Sequence, residues 1–262
     1  MQETHVDRQS TEPILIHYHL FKNAGSSIDR ILTGTFGDRW KPFEGAQSSS
    51  TVTSEELTAF LESNPGIRAV SSHQARPPLP AGRTYPIIFL RHPIDRIRSI
   101  HSFVAKDPNQ RHHEMAKAVG FTGYVEWVLE GPQDGRAVAR NYQVLHLSDA
   151  SFRRPPIATA EDLEQAKELL MSWPTFGIVR RFSESLDLFE RAYGSEFPEV
   201  EWATVQANVT NTSFESDEAE VALIAKMLGD KTFQRIQEEN ALDIELYKFG
   251  LEIFESRLAA SD

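Results

Sequence analysis

Two short polar segments of the chain carry the residue types that bind phosphate groups. The first is the run Lys22-Asn-Ala-Gly-Ser-Ser27, which follows an apolar stretch and precedes residues with helical spacing. A helix N-terminus offers unpaired N–H groups and a positive dipole end, and it therefore attracts phosphate. Gly25 would let the backbone approach the anion, and the hydroxyls of Ser26 and Ser27 would donate hydrogen bonds to it. The segment is a candidate phosphate loop, but it is not a Walker A motif, because its lysine precedes its glycine.

The second segment runs from Tyr85 to Ser99 and reads YPIIFLRHPIDRIRS. An arginine at the carboxyl end of a parallel strand faces the crevice where open α/β sheets bind ligands, and Arg91 has that position. Ser99 follows in the next helix, so the two side chains would hold a second phosphate, the arginine through its planar fork. Each segment also has a structural alternative. For the first it is an ordinary strand–helix turn with an exposed lysine, and for the second it is a surface Arg91–Asp95 ion pair with a helix-interior serine.

Composition narrows the classes of function. The chain has 262 residues, a net charge of −11 and no cysteine. The missing cysteines exclude disulfides, thiolate metal sites and a cysteine nucleophile. From residue 182 onward there are 6 basic against 18 acidic side chains, so the preceding part is close to neutral. Within that part, residues 83–113 concentrate arginine and histidine, which favours a compact anionic ligand over nucleic acid or an anionic membrane.

The length of the chain and the distribution of its polar residues predict one domain. Residues 1–13 are polar and are expected to be a flexible N-terminus, and residues 14–262 fit a single α/β domain. No apolar stretch approaches the roughly 20 residues of a membrane helix, and the first residues lack the apolar core of a secretory signal. We therefore expect no membrane insertion and a cytoplasmic location.

Short β-prone runs alternate with helical patterns, which indicates a parallel sheet covered on both faces. Strands are predicted at 14–20, 69–70, 85–90 and 176–179, and 33–54 is predicted as a loop that ends at Ser54, the expected N-cap of a short helix. Further helices are predicted at 28–32, 94–104, 122–129, 136–147, 159–172 and 183–193, and 217–258 is predicted to form two acidic helices. The segment from Thr159 to Asp162 has the form of a capping box.

Taken together, the two motifs resemble those of the sulfotransferases that use 3′-phosphoadenosine 5′-phosphosulfate (PAPS). The first is similar to their 5′-phosphosulfate loop and the second to their 3′-phosphate motif. Within that superfamily the chain is most similar to the branch of carbohydrate and heparan 2-O-sulfotransferases and their bacterial relatives. Three further segments resemble that branch in order and spacing: RNYQ at 140–143, FGIVRRFSES at 176–185 and NALDIELY at 240–247.

The resemblance implies a P-loop-like, three-layer α/β fold, with a short central parallel sheet flanked by helices and a helical C-terminal region. It also implies transfer of a sulfuryl group from PAPS, the co-substrate, to a hydroxyl of a glycan, lipid or small metabolite, without a metal ion. His73 stands where relatives carry an active-site histidine and is the expected base, and Lys22 would neutralise the leaving phosphate. The expected cofactor-binding residues are Lys22, Asn23, Ala24, Gly25, Ser26, Ser27, Arg91 and Ser99.

The chain departs from the family pattern at four positions. Asn23 stands where threonine is usual, His92 where aspartate is commonest, His101 where tyrosine is common, and Arg180 where glutamate is usual. Because the principal anion-binding residues are kept, we still expect the chain to bind PAPS. The four departures leave the identity of the acceptor open. Two other functions remain: a P-loop-like small-molecule kinase, which the missing GK[ST] disfavours, and a non-catalytic PAP- or nucleotide-binding protein.

Some residues are candidates for peripheral roles. His17 and His19 alternate in the first strand and suit the core, and His92 lies next to Arg91 and is a candidate cofactor contact. Arg180 and Arg181 either reach a phosphate or cap the sheet. The aromatic residues that either line an acceptor pocket or pack in the core are Phe36, Trp40 and Phe43, and residues 208–212 form a polar loop expected to close over the nucleotide.

Overall fold

The computed structural model describes residues 12–47, 49–131, 138–202 and 216–260. It is an α/β fold with about 60% helix and a small parallel sheet of four strands flanked by helices. The strands are β1 (Ile14–Tyr18), β2 (Trp40–Pro42), β3 (Ala69–Ser72), β4 (Thr84–Ile87), β5 (Phe89–Leu90) and β6 (Gly177–Ile178). The helices are α1 (Gly25–Phe36), α2 (Ser54–Ser63), α3 (Pro93–Lys106), α4 (His113–Glu130), α5 (Tyr142–His146), α6 (Ala160–Ser172), α7 (Phe182–Tyr193), α8 (Asp217–Leu228), α9 (Asp230–Glu238) and α10 (Ala241–Ala259).

The four-stranded sheet has the order β2-β3-β1-β4, and all of its pairings are parallel. Successive side chains of a strand point to opposite faces of the sheet. Leu15 of β1 packs in one apolar cluster with Ile28 of α1, whereas Ile16 packs in another with Val70 of β3. Both faces are therefore covered, as the alternating pattern predicts, and the carboxyl ends of β1 and β3 emerge together at one edge.

The prediction of one strand over 85–90 is wrong in detail, because two strands occupy this segment. Pro86 lies in β4, where it faces Ile16 at the edge of the main sheet, a position that tolerates the missing N–H. The chain then leaves this sheet, and β5 pairs in parallel with β6 through Phe89 and Gly177. This change of partner brings Arg91 to the end of a short, separate two-stranded sheet.

Other boundaries also differ from the sequence expectations. The predicted loop at 33–54 contains the end of α1 and the whole of β2, and α4 begins at His113 and bends at Gly120, whose φ is 64°. The acidic segment forms three helices rather than two, because it is interrupted twice: Gly229 (φ 72°) ends α8, and Glu239 and Asn240 separate α9 from α10. Of the helix predicted at 136–147 only α5 is found, and residues 136 and 137 lie outside the described residues.

Two helix starts show how side chains fix element boundaries. The capping box before α6 is confirmed, since Thr159 and Asp162 each accept from the other's backbone N–H. At α2 the N-cap is Thr53 rather than Ser54. Thr53 Oγ1 accepts from the backbone of Glu56, and the Glu56 carboxylate accepts from Thr53 N at 2.8 Å. Thr53 has the extended backbone that an N-cap needs, whereas Ser54 already lies in the helix.

Substitutions at Thr53 and Ser54 test which of the two residues is the N-cap of α2. Thr53→Ala removes the side-chain acceptor of the Glu56 N–H, which has no partner within the helix. The substitution should lower the free energy of unfolding by about 1 kcal/mol. Ser54→Ala should change it by less than about 0.5 kcal/mol, since no cap is lost. Urea denaturation of both variants measures the difference, and equal losses would contradict the assignment of Thr53.

Candidate functional site

A cavity of about 440 Å³ opens at the carboxyl ends of the central strands. It is lined by eight of the nine residues that the sequence predicted for the site: Lys22, Ala24, Gly25, Ser26, Ser27, His73, Arg91 and Ser99. His19, Phe21, Phe103 and Val179 complete the lining. The fold therefore brings the two separate motifs and the expected base to one place.

The loop before α1 has the backbone of an anion-binding turn. Lys22 and Ala24 adopt left-handed conformations, with φ of 67° and 63°, although neither is glycine. Such residues cost energy and occur where the surrounding structure enforces them, and alternating backbone handedness turns successive N–H groups towards one point. The helix then begins at Gly25, so its first N–H groups face the same cavity.

Asn23 is the one expected ligand residue whose side chain does not line the cavity. It is 2% exposed, and its Nδ2 donates to the carbonyl of Phe89 at 2.7 Å and to Gln143 Oε1 at 2.8 Å. The side chain therefore fastens the phosphate loop to the end of β5. We correct its expected role from ligand to positioning residue.

A neighbouring side chain requires glycine at position 25. A Cβ at this position would lie 1.9 Å from Cδ2 and 2.0 Å from Nε2 of His19. The imidazole edge of His19 thus rests directly on the start of α1. Its alternation with His17 in the predicted strand suits a core position, but in the structure the His19 ring lines the cavity.

Arg91 forms the predicted ion pair with Asp95, but the pair is buried rather than at the surface. Arg91 Nε and Nη2 donate to the two Asp95 oxygens at 2.6 and 3.1 Å, and Nη1 donates to the carbonyl of Lys22 at 2.9 Å. A guanidinium has five N–H donors, so two remain for a ligand. Although burial raises the pKa of Asp95, the charge and hydrogen bonds of Arg91 hold it below its usual value.

Lys22 is the second cation of the cavity. Its Nζ lies 4.5 Å from the centre of the Phe103 ring, and half-burial together with the charges of Arg91 and Lys106 lowers its pKa. Two cations held near each other at one cavity repel, and a bound polyanion relieves that repulsion. The arrangement favours a ligand with more than one negative charge.

The side chain of Gln143 joins the two motifs. Its Oε1 accepts from Asn23 Nδ2 at 2.8 Å and from the backbone N–H of Arg91 at 2.9 Å, and its Nε2 donates to the Arg91 carbonyl at 2.9 Å. Gln143 is fully buried. One amide group therefore fixes the distance between the phosphate loop and the arginine loop.

Hydrogen bonds between the segments at 140–143 and 240–247 hold the backbone of Gln143 in position. The Asp243 carboxylate accepts from the backbone N–H groups of Gln143 and Val144 at 3.0 and 2.8 Å. Asn141 Oδ1 accepts from the Asp243 backbone at 3.1 Å, and Asn240 Oδ1 accepts from the Asn141 backbone at 3.1 Å. The two segments hold each other in place, and none of these five residues lines the cavity.

His73 and His19 stand side by side in the cavity, with ring centres 3.9 Å apart. His73 Nδ1 lies 2.9 Å from Glu44 Oε1, and His19 Nδ1 lies 3.0 Å from Asp29 Oδ2. A neutral ring that donates through Nδ1 carries its lone pair on Nε2, so each histidine is oriented as a proton acceptor.

His17, His19 and Asp29 have ligand atoms within 4.8 Å of one another, a spacing that could suit a metal ion. The two rings are inclined by 19°, with centres 5.0 Å apart. Separate oxygens of Asp29 meet the two Nδ1 atoms at 2.9 and 3.0 Å. The group is a hydrogen-bonded His–Asp–His bridge in this structure, and the absence of a metal stays a prediction.

Several peripheral candidates lie away from the cavity. Phe36 packs in the core, Trp40 Nε1 donates to Ser71 Oγ at 3.0 Å, and Phe43 stacks on Phe60. None of the three lines the cavity, and their place at an acceptor stays a prediction. Arg180 pairs with Asp217 and Glu220, and Arg181 with Glu184 and Glu255. His92 packs edge-on against Tyr247 and does not line the cavity. The loop at 208–212 lies outside the described residues.

No family model matches the chain. It is 30% identical over 249 residues to a protein of Archaeoglobus fulgidus described as uncharacterized, and the match covers 92% of this chain and 97% of that protein. The chain therefore belongs to the same family as this archaeal protein, whose description states no activity. None of the helices in the described ranges has the length and apolarity needed to cross a membrane.

The buried His17 should make folding stability depend on pH. Burial lowers its pKa to about 4, from 6.5 in an unfolded chain. Between these values the unfolded state binds more protons, so acidification destabilises the fold. His17→Asn keeps a donor towards Asp29 but does not titrate, and it should remove about 1 kcal/mol per pH unit from the slope of unfolding free energy between pH 4 and 6.5.

Urea denaturation at pH 5 and pH 6 measures this slope. Gln237→Asn is the control, because residue 237 is exposed and neither side chain titrates, so the slope should stay unchanged. Identical slopes for wild type and His17→Asn would show that His17 does not stay neutral in the folded protein.

Proposed function

We propose that the chain is a PAPS-dependent sulfotransferase that acts on a hydroxyl group, built on a P-loop-like fold. The observation that carries this proposal is the convergence of both anion motifs and His73 on one cavity. A strand, a tight loop and a helix N-terminus form one half of the cavity, as in P-loop-like sites. Arg91 and Ser99 form the other half, so the cavity suits a nucleotide with two separated phosphates.

The residues divide into two anion subsites. The N–H groups at the start of α1, the hydroxyls of Ser26 and Ser27, and Lys22 would hold the 5′-phosphosulfate. The free donors of Arg91 and the hydroxyl of Ser99 would hold the 3′-phosphate. Gln143 fixes the spacing of these subsites, which is the property that a bisphosphate nucleotide requires.

The reaction needs in-line geometry, a base and a stabilised leaving group. The acceptor hydroxyl oxygen forms a bond to sulfur while its proton moves to His73 Nε2. The bond from sulfur to the bridging oxygen breaks, and its electron pair leaves with the phosphate of PAP. Glu44 holds the protonated His73 in place, and Lys22 neutralises the leaving oxygen. A sulfuryl group carries less charge than a phosphoryl group, so these side chains can supply the stabilisation.

Nucleotide selectivity tests the class of ligand. Thermal unfolding should shift upward with PAP and much less with ATP or GTP, because ligands that bind only the folded state stabilise it. Stabilisation by ATP in preference to PAP would favour the kinase reading. Lack of a response to all three nucleotides would contradict the proposal.

Replacing the proposed base tests the chemistry. His73→Ala should lower turnover of PAPS by at least about 100-fold, the usual contribution of a general base, with PAP affinity nearly unchanged. His112→Asn, away from the cavity, should keep both. Release of PAP from PAPS in an extract of small metabolites, followed by calorimetric titration of PAP, measures the two properties. Undiminished turnover in His73→Ala would exclude His73 as the base.

A further inference from the structure

A second cavity adjoins the first one at His73. Its volume is about 710 Å³, which lies in the range of about 300–1,000 Å³ that small-molecule sites occupy. His73 and Phe21 line both cavities. A molecule in the second cavity would therefore contact the proposed base while the nucleotide occupies the first.

The wall of the second cavity contains a buried cation, Arg76. Its Nη1 donates to the carbonyls of His73 and Ala75 at 3.0 and 2.9 Å, and its Nε is buried without a hydrogen-bond partner among the described residues. Although burial lowers the pKa of Arg76 to about 10, the guanidinium stays charged at neutral pH. A charged group that is 8% exposed and only partly hydrogen-bonded is stabilised by an anion in the cavity.

A second guanidinium, that of Arg154, reaches the same cavity from the protein surface. Its Nη1 donates to the carbonyls of Ser151 and Arg153 at 2.9 and 2.8 Å, which fixes the direction of the side chain. Arginine forks match the geometry of a carboxylate. Arg76 and Arg154 thus give one part of the cavity a positive potential.

The acidic residue of the wall does not cancel this charge. The Glu44 carboxylate accepts from Ser72 Oγ and from the backbone N–H groups of His73 and Gln74 at 3.2, 2.8 and 3.2 Å. Against the effect of burial, the hydrogen bonds from His73 hold the pKa of Glu44 below its usual value. Two arginines against one carboxylate leave about one positive charge, which suits a monoanion.

The rest of the wall is apolar or neutral. Tyr142 packs on His146 with ring centres 3.9 Å apart, and Leu145 and Val138 extend this surface. Burial and the charge of Arg76 lower the pKa of His146 well below its usual value, so its ring stays neutral. Such a wall favours a ligand with an apolar body.

We propose that the second cavity is the acceptor subsite and that it takes a small hydroxy-carboxylate with an apolar body. The carboxylate contacts Arg76 and Arg154, the body lies along Tyr142 and Leu145, and the hydroxyl lies at His73. The fate of the hydroxyl rests on the proposed function, whereas the binding of the carboxylate does not.

Calorimetry with matched probes tests this inference on the full chain. The probes are 4-hydroxyphenylacetate and 6-hydroxyhexanoate, each paired with its uncharged amide, and each is titrated with and without PAP. Each carboxylate should bind at least about tenfold more tightly than its amide, since the difference is a charge-assisted hydrogen bond. Arg154→Gln should weaken this preference several-fold, since Arg76 remains, and should leave PAP binding unchanged.

Arg39→Gln is the control for a lost surface charge, because Arg39 precedes β2 at the opposite end of the sheet. It should keep the preference. Equal binding of acids and amides, an undiminished preference in Arg154→Gln, or tighter binding of a heparin tetrasaccharide than of either acid would each overturn the inference. Carboxylate binding without PAP binding would refute the proposed function and leave the acid site standing. PAP binding without a carboxylate preference would refute the acid site and leave the proposed function standing.

Discussion

The candidate site depends on the carboxamide of Gln143. This buried group makes three hydrogen bonds, to Asn23 and to both backbone polar groups of Arg91, and so links a loop of the main sheet to a loop of the separate β5–β6 pair. A buried polar group without its partner costs about 1–3 kcal/mol, so these bonds specify one arrangement of the loops. The distance between the proposed phosphate subsites follows from that arrangement. Asp243 and the paired asparagines at 141 and 240 extend the same constraint to the C-terminal helix.

The acidic C-terminal third takes part in this architecture. From the sequence, its charge is assigned to solvated helices, and much of α8 to α10 is exposed. Yet Asp243 and Glu220 are fully buried, and burial raises the pKa of both, that of Glu220 to about 7. Glu220 pairs with Arg98 and Arg180, two residues of the nearly neutral N-terminal part. Acidic residues from one end of the chain thus pair with basic residues from the other, whereas Lys22 and two N–H groups of Arg91 face the cavity.

Features of the site that depend on neighbouring residues could be predicted from the sequence, whereas those that depend on contacts between distant residues could not. The strand–loop–helix unit around Gly25, the end of β3 at His73 and the capping box before α6 follow from neighbouring residues, and the structure contains all three. The inward turn of Asn23 was missed because its partners, Phe89 and Gln143, lie 66 and 120 residues away. The place of His19 in the cavity was missed for a similar reason. A histidine in a predicted strand suits a core position, whereas in the structure His19 follows β1, contacts the start of α1 and stacks on His73.

We propose that two loops, held together by one buried amide, bind two phosphates of one nucleotide. Calorimetric titration of PAP, 5′-AMP and 3′-AMP into the full chain tests it most directly, because the three ligands differ only in which phosphates they carry. We expect PAP to bind at least about tenfold more tightly than either monophosphate, since each subsite adds a charge-assisted contact. Binding of 5′-AMP as tight as that of PAP would contradict it, because Arg91 and Ser99 would then hold no phosphate.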